Sequence, residues 1–389
     1  MRAGLRGRAL ARAGLYLGAF LGPFGGGITV AMLPELGRDY GVSAATASLS
    51  VTAYILPFAA VMLVSGTLGE RWGRRRTVAV AYGGYALASV ACMLTTTFPL
   101  FLAARALQGT ANAFITPLLL AALATATSPE RLGGALGWFG SLQAAGQTFA
   151  PLVGGLATEV DWRLAFGGVA VVAVLLGVAG IPDDGRAVGA RPGLRSAMRP
   201  LVLRAGIAAG VTWGCLTGLN FLVALRLEQE FHVGASGRGL VLTGLGLAGI
   251  LTARLVGGGI DRIGPRLCVL LGGALGTLVV VGVGVAPAVW QVAVLWAFGG
   301  VATQLVLVGI NAMVLRSGGE NQGGSMSVVS AVRFAGAAAS PVVVTPIYHA
   351  DPLAGFLIPA ALLAVVVPVA LPREPAGALT RLRPAPRGR

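Results

Sequence analysis

The chain has 389 residues, of which 56% are hydrophobic and only 11% are charged, whereas a typical soluble protein carries about 25% charged residues. Apolar runs of about 20 residues, the length that crosses a bilayer core, recur along the sequence and exclude a water-soluble fold. The formal net charge of +15 comes from Arg residues scattered between these runs. The scatter excludes a nucleic-acid-binding protein, whose basic residues would form one stripe or patch.

Twelve apolar segments follow one another along the chain and predict an all-α membrane protein with twelve transmembrane helices. They cover residues 15–36, 45–68, 77–97, 100–124, 133–157, 164–181, 201–225, 239–257, 267–286, 289–314, 325–347 and 353–371. Four Arg residues precede the first segment, as in a signal peptide, but the segment is too long for one and lacks a cleavage pattern. We therefore interpret it as the first membrane helix.

The charges of the loops predict the orientation of these helices. If the chain starts in the cytoplasm, 23 of its 29 basic residues fall on the cytoplasmic side and two lie inside helices. The remaining four, on the outer side, are Arg38, Arg163, Arg226 and Arg238. This asymmetry follows the positive-inside rule. The sequence therefore predicts a multi-pass protein of the plasma or inner membrane, embedded in the lipid bilayer, with both termini in the cytoplasm.

An internal repeat relates the first part of the chain to the second. Residues 66–75 align without gaps with residues 257–266 at an offset of 191, and each stretch follows the second helix of its half. Two further pairs align at an offset of 190, Gly146 with Gly336 and Pro151 with Pro341. Tandem membrane halves are typical of transporters, in which the substrate binds between the halves near the middle of the bilayer.

The repeat predicts two pseudo-symmetric six-helix halves, 1–181 and 201–372. A cytoplasmic linker at 182–200 joins them, and a basic cytoplasmic tail follows at 373–389.

Three motifs resemble those of the major facilitator superfamily, and in particular those of its drug:proton antiporters. The first is a Gly-x-Leu-x-acid-Arg-x-Gly-Arg-Arg pattern, made by Gly66, Leu68, Glu70, Arg71, Gly73, Arg74 and Arg75, with Glu70 where the family usually has Asp. The second is an Arg-x-x-Gln-Gly pattern, made by Arg105, Gln108 and Gly109. The third occurs mainly in exporters and is made by Gly137, Gly146, Pro151, Gly154 and Gly155, with Ala150 where Gly is usual.

The resemblance covers essentially the whole chain and implies the fold of this superfamily. It implies a secondary active transporter that exports a small amphipathic organic compound, such as a drug, an antibiotic or a metabolite, by alternating access of two rocking halves. It also implies protons as the coupling ion. We expect a monomer that uses no cofactor and no metal.

The loop after the second helix and its repeat predict a gate on the cytoplasmic side. Glu70 and Asp261 each end one helix beside Arg residues of the next, so paired charges are expected to latch the halves together. The predicted partners are Arg71, Arg74 and Arg262, and close approach and tight turns are predicted at Gly66, Gly73 and Gly264. A plain cluster of positive-inside charge is the alternative.

The fifth helix is predicted to pack closely against a neighbour and to bend. The residues that allow this are Gly146, Pro151, Gly154 and Gly155, because small residues let helices approach and neighbouring groups can satisfy the backbone freed by proline. A generic flexible membrane helix is the alternative.

A polar stripe on the fourth helix is predicted to face a substrate cavity. Arg105, Gln108, Asn112 and Thr116 follow at spacings of three, four and four, which places them on one helix face. An Arg at this depth costs several kcal/mol unless it faces the protein interior. In the alternative interpretation, Arg105 ties neighbouring helices together through their carbonyl groups.

Further aromatic, amide and hydroxyl side chains are expected on the cavity face, a composition that suits a moderately apolar organic molecule. They are Gln143, Gln147, Trp213, Thr217, Asn220, Gln304 and Asn311. No carboxylate lies in the middle of a predicted helix, so Glu35 and Asp39, at the outer end of the first helix, are the nearest candidates to pair with Arg105 and take part in proton coupling.

Arg333, near the middle of the eleventh helix, opens a second possibility for the substrate. Two intramembrane Arg residues, Arg105 and Arg333, could instead accept an anionic metabolite. A membrane sensor or assembly partner that does not transport is the alternative from another class. We expect no enzyme, because no nucleophile, acid pair or metal cluster converges in the sequence.

Overall fold

A computed structural model describes residues 2–182 and 193–371, and all regular structure in these two ranges is helical. The predicted tail at 373–389 and most of the predicted linker lie outside the described residues. The division into two halves, a linker and a tail stays a prediction in its boundaries.

Each of the twelve predicted membrane segments coincides with one helical segment of the structure. In chain order they are α1 (Leu10–Tyr40), α2 (Leu49–Trp72), α3 (Arg74–Leu94), α4 (Phe98–Ala126), α5 (Leu132–Thr158), α6 (Arg163–Ala179), α7 (Pro200–Gln229), α8 (Ala235–Ile263), α9 (Pro265–Val285), α10 (Val289–Arg316), α11 (Gln322–Ala350) and α12 (Ala354–Ala370). The first helix extends back to Arg2. That start lies 13 residues before the predicted one, and α8 continues to Ile263 where the sequence predicts an end at 257.

The lengths and apolar character of these helices fit a membrane. Within the described ranges, nine segments are long and apolar enough to cross a bilayer. The helices α6 and α12 are apolar but shorter, at 17 residues each. The helix α5 has 27 residues, and its many glycines and two glutamines make it less apolar. The all-α membrane fold predicted from the sequence is therefore confirmed.

Three of the helices are broken inside the bundle, which the sequence analysis did not anticipate. In α1 a 3₁₀ stretch, Ile28–Met32, follows three consecutive glycines, and in α7 the 3₁₀ stretch Thr217–Leu219 lies at the matching repeat position. The helix α4 is interrupted between Asn112 and Ile115. Broken helices at membrane depth are tolerated only where protein surrounds them or where they line a cavity. These breaks therefore indicate where a binding site is built.

Glycines at equivalent repeat positions let the backbones touch in both halves. A methyl group at Gly146 of α5 would stand closer than 3.0 Å to the carbonyl oxygen of Phe20 in α1. A methyl group at Gly336 of α11 would meet the carbonyl oxygen of Gly210 in α7 in the same way. Both members of each pair are related by the offset of 190. The predicted repeat and the close packing of the fifth helix are thus present in the structure.

Other glycines of the α5 motif extend this packing. A methyl group on Gly154 would stand closer than 3.0 Å to the carbonyl oxygen of Ile28, and a methyl group on Gly155 would lie 3.7 Å from Cβ of Ala31. Pro151 lies inside the helix.

We predict that Gly146→Ala lowers the stability of the protein by about 1–3 kcal/mol, because an added methyl group in a tight contact forces the backbones apart. Gly336→Ala should have a similar effect, since its surroundings repeat those of Gly146. Gly168→Ala is the matched control, because nothing lies within 4 Å of its added methyl group. Thermal unfolding of the purified variants in detergent measures the difference, and equal stability of all three variants would contradict the packing.

Candidate functional site

A buried carboxylate joins the two halves at one end of the bundle. Glu70, at the end of α2, accepts a hydrogen bond of 2.9 Å from the backbone N–H of Gly323, in the first turn of α11. Glu70 also pairs with Arg74, whose Nη2 lies 2.7 Å from Oε1 and whose side chain is 4% exposed. A negative charge is stabilised at a helix N-terminus, where N–H groups lack partners within the helix.

A second carboxylate makes the equivalent contact in the other direction. Asp261, near the end of α8, accepts hydrogen bonds of 2.8 Å from the backbone N–H groups of both Gly133 and Gly134, in the first turn of α5. Its cation is Arg316, at the end of α10, with Nη2 at 2.6 Å from Oδ1. Each half therefore closes the first turn of a helix that belongs to the other half.

We refer to Glu70, Asp261 and the N–H groups of Gly133, Gly134 and Gly323 as the latch. The end of the bundle that carries it is the Glu70 end, and the opposite end is the Asp39 end.

Tight backbone contact accompanies the latch. A methyl group on Gly66 would stand closer than 3.0 Å to the carbonyl oxygen of Gly323, and one on Gly257 would meet the carbonyl oxygen of Gly133 in the same way. The Oγ of Ser327 accepts a hydrogen bond of 2.8 Å from the backbone N–H of Gly66. The halves are therefore closed together at the Glu70 end.

The tight turns predicted beside the latch are also present. Gly73 and Gly264 have φ angles of +91° and +85°, a range that glycine adopts without strain.

The basic partners of the latch differ from the prediction. Arg74 pairs with Glu70 as expected, but Arg71 and Arg262 are exposed. The reason lies in the second half, where Pro265 stands at the repeat position of Arg74 and cannot supply a cation. Arg316 replaces it from another helix. The presence of Pro265 was the signal in the sequence that the second carboxylate needed a different partner.

A cavity of about 400 Å³ lies between the halves. The predicted residues that line it are Asn112, Thr116, Gln143, Gln147, Trp213, Thr217, Asn220, Gln304 and Arg333. Further lining residues, which the sequence analysis did not single out, include Tyr54, Phe58, Thr148, Thr243, Thr303 and Phe334. Residues at the breaks of α1 and α7 form part of its wall, as the broken helices indicate.

Four residues of the predicted substrate site lie outside the cavity, namely Arg105, Gln108, Asn311 and Glu35. The contacts of Arg105 are the most informative. Its side chain is fully buried and donates to the carbonyl oxygens of Gly25, at 3.0 Å, and Ser50, at 3.3 Å. It also donates to Oε1 of Gln108 and lies 4.4 Å from the centroid of the Tyr54 ring. These contacts are the ones that the alternative interpretation of Arg105, as a tie between helices, predicts.

The position of Arg105 explains why these carbonyls need it. Gly25 lies in the last turn of the first piece of α1, where carbonyl groups have no partner within the helix. A cation is favoured there by the partial negative charge of a helix C-terminus. Arg105 thus stabilises the break in α1, and Gln108, bonded to Ser89 at 2.8 Å, holds it in place.

The remaining predicted residues outside the cavity are Asn311 and Glu35. Asn311 is buried in α10. Glu35 pairs with the exposed Arg38, at 2.8 Å, and Asp39 pairs with Arg163 at 2.9 Å. The predicted pairing of Glu35 or Asp39 with Arg105 is wrong, because Arg105 is directed to backbone carbonyls deeper in the bundle.

Asn220 and its neighbour show how the two halves differ. Its Oδ1 accepts a hydrogen bond of 2.9 Å from the indole N–H of Trp296. Trp296 stands at the repeat position of Arg105, at an offset of 191. The second half therefore keeps a polar tie at this place but without a positive charge.

Comparison with known proteins establishes the family. The family model described as Major Facilitator Superfamily matches residues 15–258 and 205–387. The chain belongs to the major facilitator superfamily. This membership is the one that the resemblance of its motifs implied.

Several curated members are similar to part of this transporter. The puromycin resistance protein of Streptomyces alboniger is 38% identical over 163 residues, which are 40% of this chain and 32% of that protein. The tetracenomycin C resistance and export protein of Streptomyces glaucescens is 31% identical over 209 residues, 50% of this chain and 38% of that protein. The chain thus spans about a third of the length of the curated relatives it matches.

Two solved structures share the fold of this transporter. The human organic anion transporter MFSD10 superposes with a TM-score of 0.77 at 16% identity, covering 93% of this chain and 99% of that one. The proton:xylose symporter XylE superposes with a TM-score of 0.73 at 12% identity, covering 93% and 94%. At these identities the likeness concerns the fold alone.

We predict that Glu70→Gln loosens the Glu70 end. The amide keeps the shape of the carboxylate but loses the charge that favours the N-terminus of α11, a difference of about 1 kcal/mol. A cysteine at Ser327, whose side chain is fully buried behind the latch, should then react with a water-soluble maleimide about fivefold faster.

Glu228→Gln in the same Ser327→Cys background is the control for this experiment, because Glu228 is 59% exposed and pairs with Arg238. The native cysteines Cys92, Cys215 and Cys268 are buried and should give a low background. An unchanged reaction rate in Glu70→Gln would contradict the role of the latch.

We predict that Arg105→Lys lowers the stability of the transporter by at least about 2 kcal/mol, because one ammonium group cannot reach the carbonyls of two helices that a guanidinium reaches. Arg254→Lys, an exposed position that contacts the Trp138 ring at 5.4 Å, should change it little. Thermal unfolding with and without ligand separates the two roles. Normal stability with weakened ligand binding would instead make Arg105 a binding residue.

Proposed function

We propose that this transporter exports a small amphipathic organic compound from the cytoplasm by alternating access, in exchange for protons. The observation that carries the proposal is the cavity between the halves, together with the symmetric latch that closes it at the Glu70 end. The positive-inside rule predicts that this end faces the cytoplasm. The structure would then correspond to the state in which the cytoplasmic side is closed.

The latch supports alternating access because it depends on both halves at once. Glu70 and α5 belong to the first half, and Asp261 and α11 belong to the second. Opening the Glu70 end therefore separates Glu70 from α11 and Asp261 from α5 at the same time. Hydrogen bonds to charged groups contribute about 1.5–3 kcal/mol each. A free-energy difference of this size between the closed and open latch can be overcome by the binding energy of a small ligand.

The composition of the cavity supports an amphipathic substrate. A volume of about 400 Å³ lies in the usual range for small-molecule sites, which combine apolar walls with a few polar groups. Aromatic rings of Tyr54, Phe58, Trp213 and Phe334 form much of the wall, and amides and hydroxyls lie between them. The antibiotic resistance named in two similar Streptomyces proteins supports the same substrate class and the outward direction.

Exchange for protons rests on the glycine and proline motif of α5 and on the resemblance it carries. None of the residues that line the cavity is an acid. The latch carboxylates Glu70 and Asp261 lie at one end of the bundle, and Asp39 lies at the other. In this proposal a proton therefore shifts the equilibrium between the state closed at the Glu70 end and the state closed at the Asp39 end. It does not compete with the substrate for the cavity.

Membership in a transporter superfamily favours transport over the alternative of a sensor that does not transport. The alternative of an anion bound by Arg105 and Arg333 together is not supported, because Arg105 is occupied by backbone carbonyls away from the cavity.

The test is uptake of a panel of aromatic compounds into inverted vesicles with an acidic interior. We expect gradient-dependent accumulation by the wild type and a loss of about tenfold or more in Trp213→Ala, since removal of a ring from the cavity wall weakens binding by about 1.4 kcal/mol or more. Trp290→Ala is the matched control, because Trp290 is 67% exposed at the start of α10.

Two outcomes would count against the proposal. Uptake that ignores the pH gradient would remove the exchange for protons, and accumulation that is equal in vesicles without the protein would remove transport itself.

A further inference from the structure

Arg333 is the only charged residue among those that line the cavity. The other lining residues are aliphatic, aromatic, glycine, proline, hydroxyl or amide residues. The electrostatic character of the cavity therefore depends on this one guanidinium. A lone positive charge in a site of low polarity repels a cation and attracts an anion, since both effects are strong where water is excluded.

Arg333 differs from the other buried arginines in having no partner. In the described part of the chain, Arg74 pairs with Glu70, Arg105 with backbone carbonyls, and Arg226 with Glu230 at 2.7 Å. Arg333 is 4% exposed, its Nε has no hydrogen-bond partner, and no ion pair or hydrogen bond reaches the side chain within the described residues. A charged group inside a membrane protein that is left in this way is costly unless a ligand completes it.

Two aromatic rings hold the guanidinium in place without using its N–H groups. Its central carbon lies 4.7 Å from the centroid of the Trp213 ring and 4.9 Å from that of Phe334. Stacking of this kind uses the flat face of the guanidinium. The N–H groups at its edge remain able to bind a carboxylate or a similar oxyanion, and such bonds are about twice as strong as neutral ones.

The residues around Arg333 indicate which other groups the ligand carries. Phe334 contacts Phe58 edge-on, at 5.2 Å between ring centroids, and Phe58 stacks with Tyr54 at 6.0 Å, so a row of rings runs from Arg333 into the first half. The Oε1 of Gln304 and the Oδ1 of Asn112 are buried in the wall without a donor. An aromatic body fits along the row, and hydroxyl or amine donors fit the two amide oxygens.

We propose that the cavity binds an aromatic compound with a single negative charge, whose carboxylate or other oxyanion pairs with Arg333. The proposal names the substrate class of the transport proposed above and rests on it for its biological meaning. One unpartnered cation matches one negative charge. Cationic compounds are excluded from the same site, because no carboxylate in its wall could pair with them.

The experiment measures binding, so that its outcome does not depend on transport. Three naphthalene compounds of nearly equal shape, a carboxylate, a carboxamide and a methylammonium, are titrated by calorimetry into the purified full chain in nanodiscs at neutral pH. We expect the carboxylate to bind at least about tenfold tighter than the carboxamide, and the ammonium weakest of the three.

Arg333→Gln should remove this preference and bring the carboxylate to within about threefold of the carboxamide. Retained binding of the carboxamide shows that the variant is folded. Arg254→Gln removes the same charge from an exposed position of α8 outside the cavity and should keep the preference of the wild type.

Equal affinities of the wild type for the three compounds, no measurable binding of the carboxylate, or an equal loss of preference in Arg254→Gln would overturn the proposal. A charge preference that persists in a protein that fails the vesicle assay would remove the transport proposal and leave this one standing.

Discussion

Charged side chains inside this bundle form hydrogen bonds with backbone N–H and C=O groups that lack a partner at the end or the break of a helix. Glu70 and Asp261 accept hydrogen bonds from the first turns of α11 and α5, where N–H groups lack partners. Arg105 donates to a carbonyl at the break of α1. In a solvent that offers no hydrogen bonds, a helix terminus of opposite polarity stabilises the ionised side chain that meets it.

In the alternating access that we propose, this constraint separates helix ends that keep their partners from helix ends that lose them. Arg105 lies entirely within the first half, and its partners move with it. The latch carboxylates lie between the halves, so that their partners are lost when the halves separate. In this proposal the same type of contact is a permanent tie where both sides belong to one half and a reversible tie where they belong to different halves.

Arg333 is the exception to the matching of charge, and the exception indicates function. It is held by Trp213 and Phe334 at the wall of the cavity, but the described residues give it no acceptor. A substrate that carries its own negative charge would complete the pattern that the rest of the bundle follows.

The helices, their order and the repeat could be predicted from the sequence, because bilayer thickness sets the length of each apolar run and loop charge sets its orientation. The latch acids Glu70 and Asp261 could be found from their motif. The breaks in α1 and α7 could not, since tertiary contacts decide whether a glycine run bends a helix. For Arg105 the sequence could name the tie to backbone carbonyls only as an alternative, because such acceptors carry no signature in the side-chain pattern.

The most direct measurement of the central claim is the distance between the halves at both ends of the bundle. Spin labels at Arg131 and Arg262 report the Glu70 end, and labels at Val160 and Leu240, which are 80% and 76% exposed, report the Asp39 end. In the double variant Glu70→Gln with Asp261→Asn, double electron–electron resonance should show that the distance at the Glu70 end lengthens and the distance at the Asp39 end shortens. Distances that stay fixed, or that lengthen together, would contradict an account in which two rigid halves rock about a cavity held closed by the latch.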